Sequence, residues 1–168
     1  MDLEYTVTEN IHRNRSGQIV QIDYVFEENV TIETPSTGSG LTRTNRERRN
    51  RTYDVAVTRE QYQKLSARFS NALAFDAFVN VLRPFIMGYY VNDELERAFF
   101  ALDRDRSGSI QIKELSSFLP ILNETVNDTA LFNYVQKVDE NFDGKMSYDE
   151  FRALVLRGIG RDIICNHL

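Results

Sequence analysis

The stretch DRDRSGSIQIKE, residues 103–114, decides how this sequence is interpreted. Oxygen-bearing side chains occupy its first, third and fifth positions, a glycine is sixth and a glutamate is twelfth. A second stretch, DENFDGKMSYDE at residues 139–150, repeats this layout. Glycine suits a sharp turn with positive φ, and convergent carboxylate and hydroxyl oxygens suit a hard cation. Both runs are therefore predicted to be metal-binding loops rather than simple polar connections.

Apolar residues at helical spacing flank both stretches. The first has Leu95, Ala98, Phe99 and Leu102 before it and Leu115, Phe118, Leu119 and Leu122 after it; the second has Leu131, Tyr134, Val135 and Val138 before it and Phe151, Leu154 and Val155 after it. This pattern predicts a helix–loop–helix unit twice. The closing glutamates, Glu114 and Glu150, are 36 positions apart, which fits two units packed face to face.

On these motifs, residues 92–158 resemble the EF-hand proteins of the calmodulin superfamily. The resemblance implies two Ca²⁺ ions, each held by side chains at positions 1, 3 and 5, a backbone carbonyl at 7, position 9 through water, and a bidentate glutamate at 12. The implied ligands are Asp103, Asp105, Ser107, Ser109, Gln111 and Glu114 in the first loop, and Asp139, Asn141, Asp143, Lys145, Ser147 and Glu150 in the second. The apolar residues at position 8, Ile110 and Met146, predict a short two-stranded ribbon that joins the loops.

The two loops differ in charge. Arg104, Arg106 and Lys113 cancel the acidic residues of the first loop, whereas the second loop has a net charge of −4. One charge about 8 Å away is worth roughly 2 kcal/mol at an effective dielectric near 20, before screening by salt. The second loop is therefore predicted to bind calcium more tightly, and the first to fill later or cooperatively.

Residues 58–91 resemble a third EF-hand that has lost its metal. Thr58 with Gln61 three residues later is the pattern of a capping box and predicts a helix start. Aligned with the second loop, the ligand positions hold Ser66, Arg68, Ser70 and Ala77. An arginine and an alanine offer no calcium ligand, so this unit is predicted to keep its helical packing without metal. An ordinary helical hairpin is the alternative.

The first 57 residues show the alternation typical of β-strands. We predict a small antiparallel meander of three or four strands, with a turn at RNRSG, packed on the metal-free unit. The Arg-rich segment at residues 35–51 is predicted to be a mobile loop. The fold class is therefore α+β: a β-meander at 1–57, a degenerate EF-hand-like hairpin at 58–91, and a paired EF-hand lobe with an apolar C-terminal tail at 92–168.

Composition limits the functional classes. The net charge of −5, and the lack of aromatic residues among the clustered arginines, argue against a nucleic-acid binder. The sequence has no nucleophile motif and no Gly-rich phosphate loop, so we do not expect an enzyme. It has no secretory signal and no apolar run of the roughly 18 residues that span a bilayer, so we expect a cytoplasmic protein. Cys165 is fourth from the end, but Asn166 and His167 are not the aliphatic residues that prenylation requires.

The leading hypothesis is a calcium-dependent regulator, or sensor, that acts on a protein partner through an apolar groove of the lobe. The alternatives are a calcium buffer, and a calcium-stabilised adaptor that binds its partner with the N-terminal β region. Met146 is the lobe's only methionine, which favours a narrow range of partners. The tail at residues 157–168 either folds back into the groove or binds a partner.

Overall fold

The computed structural model describes residues 2–38, 41–68, 73–117 and 119–168. Strand β1 spans Asp2–Arg13, β2 spans Ile19–Gly38 and β3 spans Leu41–Thr58. The three strands form an antiparallel meander in the order β1–β2–β3. This arrangement confirms the predicted N-terminal meander, and the predicted turn at RNRSG connects its first two strands.

The Arg-rich segment is not a loop, so the prediction for residues 35–51 is wrong. Residues 41–51 belong to β3 and pair with β2 along a hairpin that places Arg51 opposite Glu28 and Leu41 opposite Gly38. Residues 44–51 are all polar and exposed, so this part of the strand lacks the alternation that reveals a half-buried strand. Cross-strand pairs stabilise it instead: Glu33 lies opposite Arg46, and the Arg46 Nε is 2.9 Å from the Glu33 carboxylate.

The described residues after β3 are mainly helical. The helices are α1 (Arg59–Ser66), α2 (Phe75–Met87), α3 (Glu94–Leu102), α4 (Ile112–Ser116), α5 (Asp128–Val138), α6 (Tyr148–Arg157) and α7 (Ile159–Ile164), with a 3-10 turn at Leu119–Ile121. The Thr58 hydroxyl accepts a hydrogen bond from the Gln61 backbone N–H at 3.1 Å and caps α1, as the capping pattern predicts. None of the helices within the described residues is long and apolar enough to cross a bilayer.

Helix α4 is shorter than its apolar stripe predicts. Pro120 lacks a backbone N–H, and a proline disfavours helical geometry in the residue before it. The α-helix therefore ends at Ser116, and the chain continues as a 3-10 turn. Leu115 and Leu119 are still fully buried, so the stripe correctly marks the core-facing side. Phe118 lies outside the described residues.

The sheet and the helices share one apolar core. Ile22, Tyr24 and Phe26 alternate along β2 and are all buried, as period-2 packing of one face requires. Helix α1 lies against β2 and β3. Arg83 of α2 makes a further link, because its guanidinium is 3.5 Å from Glu9 of β1.

The C-terminal tail packs inside the molecule as α7. Ile159 and Ile163 are fully buried, and α7 contacts α2 and α6. Gly160 approaches α2 so closely that a Cβ there would lie 2.2 Å from the Phe85 carbonyl oxygen. The tail therefore docks intramolecularly, against the upstream helical unit as well as against the lobe.

Candidate metal centre

The first loop follows α3 directly and folds around the carboxylate of Asp103. That side chain is buried, and it accepts hydrogen bonds from the backbone N–H groups of Ser107 (3.1 Å) and Gly108 (2.9 Å). Asp105 accepts from the same Ser107 N–H at 3.2 Å. The Ser107 hydroxyl lies 3.1 Å from the carbonyl oxygen of Ser109. The oxygens of positions 1, 3, 5 and 7 therefore gather on one side of a tight turn, a donor set that suits a hard cation.

The second loop repeats this turn between α5 and α6. Asp139 accepts from the Asn141 backbone N–H at 3.2 Å, and Asp143 accepts from the Lys145 N–H at 3.1 Å. The Lys145 side chain is exposed, so its backbone carbonyl remains the predicted ligand at position 7. Gly144 has φ of +101°, the positive value that the sixth position requires.

A two-stranded ribbon connects the loops. Strand β4 (Ile110–Gln111) pairs antiparallel with β5 (Lys145–Met146). Ile110 lies opposite Met146, and both side chains are fully buried. The Ile112 N–H donates to the Gly144 carbonyl at 2.9 Å. The ribbon predicted from position 8 is therefore present, and it joins the two loops mechanically.

The closing glutamates bond to Gln111 and Ser147, the N-cap residues of the helices that leave the loops. The Glu114 Oε2 accepts from the Gln111 backbone N–H at 2.9 Å. The Glu150 Oε1 accepts from the Ser147 hydroxyl at 3.1 Å, and the Glu150 N–H donates back to that hydroxyl at 3.3 Å. Among the described residues, one set of three Cys, His, Asp or Glu ligand atoms lies within 4.8 Å of one another, and it lies outside both loops. The carboxylates of the loops do not converge that closely.

The arginines of the first loop occupy different surroundings. Arg106 has φ of +55° and reaches back to α3, where it donates to the Phe100 carbonyl at 2.8 Å and stacks 3.6 Å above the Phe100 ring. Arg104 acts on the ligands instead. Burial raises the pKa of Glu114, the charges of the loop aspartates add to the rise, and the positive charge of Arg104 opposes it. Arg104 therefore acts on the ligand carboxylates more strongly than Arg106 does.

A cleft of about 290 Å³ lies between α5 and α6. Its lining is apolar along Val135, Val138, Ala153 and Leu154 and acidic at Asp139, Asp149 and Glu150. Asp139 and Glu150 are the first and last predicted ligands of the second loop. Val138 is 38% exposed, although its place in the stripe predicts a core position. The sequence offers one sign of this exposure: Val138 is the last residue of α5, directly before the loop.

Residues 92–156 match the family of the EF-hand domain pair. Centrin-A from Dictyostelium discoideum is 32% identical over 107 residues, which cover 62% of this chain and 69% of the relative. The chain belongs to the EF-hand calcium-binding proteins of the calmodulin superfamily. Its matched region is a calcium-binding EF-hand pair.

Other relatives of this EF-hand protein match smaller shares of their own length. Putative calmodulin-like protein 6 from Oryza sativa subsp. japonica is 28% identical over 93 residues, which cover 52% of this chain and 53% of the relative. Calcium-dependent protein kinase 14 from Arabidopsis thaliana is 40% identical over 68 residues, 40% of this chain but 13% of the kinase. The chain spans about half the length of several curated relatives that it matches.

Proposed function

We propose that this EF-hand protein is a calcium-dependent regulator that binds two Ca²⁺ ions and transmits their occupancy to a protein partner. The proposed ligands are Asp103, Asp105, Ser107, Ser109 through its carbonyl, Gln111 and Glu114, and Asp139, Asn141, Asp143, Lys145 through its carbonyl, Ser147 and Glu150. All donate oxygen, which is the ligand type that calcium prefers.

The cleft between α5 and α6 is the observation that carries this proposal. Its lining includes Asp139 and Glu150, so two proposed ligands of the second ion also form one end of an apolar cavity. Coordination of the ion must reposition these two carboxylates, and the cleft changes with them. A buffer does not need calcium ligands that also line an apolar cleft, whereas a sensor exposes an apolar groove when it binds calcium.

The closing glutamates couple ion binding to movement of α4 and α6. A bidentate ligand contributes both of its oxygens to the ion. In this structure one Glu114 oxygen accepts from the Gln111 backbone N–H, and one Glu150 oxygen accepts from the hydroxyl of Ser147, which itself caps α6. Calcium therefore competes with these hydrogen bonds and draws the first turns of α4 and α6 toward the loops. Because the ribbon joins Ile110 to Met146, movement in one loop biases the other.

The chemistry of the cleft indicates the kind of partner. Three carboxylates line an otherwise aliphatic cavity, and calcium neutralises two of them. Asp149 remains as an exposed acidic group beside the apolar surface. We therefore expect a peptide with one or two aliphatic anchors beside a basic residue.

The upstream helical unit has backbone geometry that supports its interpretation as a metal-free EF-hand. The exiting helix begins directly after position 9 in all three units, and that residue is extended in each: φ/ψ is −62/151 at Ala74, −81/151 at Gln111 and −74/172 at Ser147. The Tyr62 hydroxyl donates to the carbonyl of Leu73 at position 8, at 2.7 Å. This side chain satisfies a group that a paired loop would otherwise bond. Ser70 lies outside the described residues.

A calcium buffer is the second candidate, and the buried tail favours it. Helix α7 already fills a place against α2 and α6, which limits how far the helices can open. An adaptor that binds through the N-terminal sheet is the third possibility, and the exposed Arg-rich arm is the surface that it would use.

Amide NMR spectra of the full chain with and without calcium, together with an apolar dye, test the proposal. We expect large shifts in α5 and α6 and a rise in dye fluorescence when calcium is added. Glu150→Gln should lose this response, whereas Asp149→Asn, a matched change at a neighbouring non-ligand position, should keep it. Ordering of the loops without dye binding would instead establish the buffer.

A further inference from the structure

Glu28, Cys165 and His167 bring three different ligand atoms together far from the EF-hand loops. A carboxylate oxygen, the thiol sulfur and an imidazole nitrogen lie within 4.8 Å of one another. The Glu28 Oε2 and the His167 Nε2 are 3.3 Å apart. None of these three residues is a proposed calcium ligand, so the cluster is a separate candidate site.

The fold places these side chains through two local features. Glu28 follows Phe26 on the same face of β2, where an apolar residue would continue the series, and it is 6% exposed. Cys165 ends α7, and Asn166 then takes a left-handed conformation with φ of +58°. This turn lets Cys165 and His167 both reach the buried carboxylate.

A buried carboxylate in an apolar face is costly unless a positive charge or hydrogen bonds compensate it. Two cations lie nearby: the Arg161 guanidinium lies 4.2 Å above the Tyr5 ring and 3.6 Å from Asp162, and Arg51, which is opposite Glu28 in the strand pair, is exposed. The Cys165 thiol is buried beside Glu28, where it is shielded from solvent. The same burial, 3% exposed, keeps Cys165 from any modifying enzyme.

The distances suit a tetrahedral ion. Bonds of about 2.0–2.1 Å to nitrogen and oxygen, and about 2.3 Å to sulfur, put tetrahedral ligands about 3.3–3.6 Å apart. The Glu28–His167 separation of 3.3 Å already has this value, and the thiol, which lies within 4.8 Å of both partners, needs to approach by about 1.5 Å at most. A sulfur, nitrogen and oxygen set suits a borderline ion such as Zn²⁺ and not Ca²⁺, which takes oxygen ligands.

We propose that Glu28, Cys165 and His167 form a binding site for Zn²⁺ or a similar transition-metal ion. The ion displaces the Cys165 thiol proton to solvent, and the resulting thiolate together with the carboxylate neutralises the divalent ion, which is what a largely buried site requires. Three protein ligands leave a fourth position, and the exposed His167 gives it access to water. Such an ion ties the C-terminal tail to the sheet, because the ligands come from β2 and from the end of α7.

Cobalt titration of the full chain, with both EF-hands saturated by excess calcium, tests this site. Cys165 is the protein's only cysteine, so a cobalt–thiolate charge-transfer band can arise from this residue alone. We expect the band at one Co²⁺ per chain, and we expect Zn²⁺ to abolish it by displacement. Cys165→Ser should remove the band.

The other two ligands are tested with Glu28→Gln and His167→Gln. Each should weaken Co²⁺ binding by at least about tenfold, the smallest effect usual for groups that only support a ligand. The control is His12→Gln, because His12 is the only other histidine and pairs with Asp23 at 2.6 Å; it should bind like the wild type. Circular dichroism verifies that each variant is folded.

Two results would overturn the proposal. One is the lack of a charge-transfer band in the folded wild-type protein at stoichiometric Co²⁺. The other is a band of unchanged affinity in the folded Glu28→Gln and His167→Gln variants, which would make Cys165 an isolated thiol. In either case Glu28 and His167 are simply a hydrogen-bonded pair beside a buried cysteine.

Discussion

Gly160 is the point of closest approach between α7 and α2, and alanine at this position tests the docked tail. A Cβ on Gly160 would lie 2.2 Å from the Phe85 carbonyl oxygen and 2.9 Å from the Ile86 Cα. Both are backbone atoms of a helix, so neither can rotate out of the way. Since unstrained carbon contacts are about 3.5–4.0 Å, α7 must move away by about 1 Å or more.

The size of the effect follows from what that movement disturbs. Overpacking a well-packed core typically costs about 1–3 kcal/mol of the free energy of unfolding. Complete release of α7 would expose Ile159 and Ile163, which are fully buried, and this sets an upper limit of about 3–6 kcal/mol. Alanine's better helix propensity offsets about 1 kcal/mol at most. We therefore expect Gly160→Ala to destabilise the protein by about 1–3 kcal/mol.

Urea denaturation followed by circular dichroism measures this change, with calcium chelated so that metal binding does not contribute. Glu96→Ala is the control, because Glu96 is exposed on α3 and should change stability by less than about 0.5 kcal/mol. A Gly160→Ala variant as stable as the wild type would refute the close packing of α7 on α2.

Three further predictions concern the loops and the tail. Arg104→Gln should tighten calcium binding at the first loop about three- to fivefold by calorimetry, since a charge worth about 2 kcal/mol retains about 0.7–1 kcal/mol after exposure and salt screening; Arg106→Gln should change it less than about twofold, because that cation stacks on α3. Ile110→Ala should lower the free energy of unfolding by about 2–5 kcal/mol in denaturant titrations, because the fully buried side chain leaves a cavity in the ribbon. Burial and the hydrogen bond to Asp162 raise the pKa of Tyr134 from 10.0 to about 12, so this group's contribution to stability is complete below pH 10 and is lost as the pH rises toward 12. Tyr134→Phe should make that alkaline decline shallower in denaturant titrations at several pH values, and an unchanged slope would contradict the role of the tyrosine.

The sequence foretells the loops better than the surfaces around them. A twelve-residue loop is local, so Gly108, Gly144 and the position-8 pair can be placed from spacing alone. The end of α4 is harder to place, because Pro120 lies beyond the end of α4 whereas Pro84 lies within α2.

Features that depend on distant parts of the chain escape such reasoning. The Arg-rich arm has no apolar face, so its strand pairing with residues 28–38 leaves no periodic signal. Glu28 is ordinary in sequence and becomes unusual only because Cys165 and His167 lie beside it in the fold. The same holds for Gly160, which predicts a helix end by residue type but instead permits two helices to touch.

Calcium calorimetry on the full chain counts the ions and ranks the two loops by affinity. We predict two ions per chain with the second loop tighter, loss of the tighter site in Glu150→Gln, loss of the weaker site in Glu114→Gln, and two retained sites in Asp149→Asn. Undiminished binding in a folded Glu114→Gln/Glu150→Gln double variant, or no binding at millimolar calcium in the wild type, would contradict this prediction.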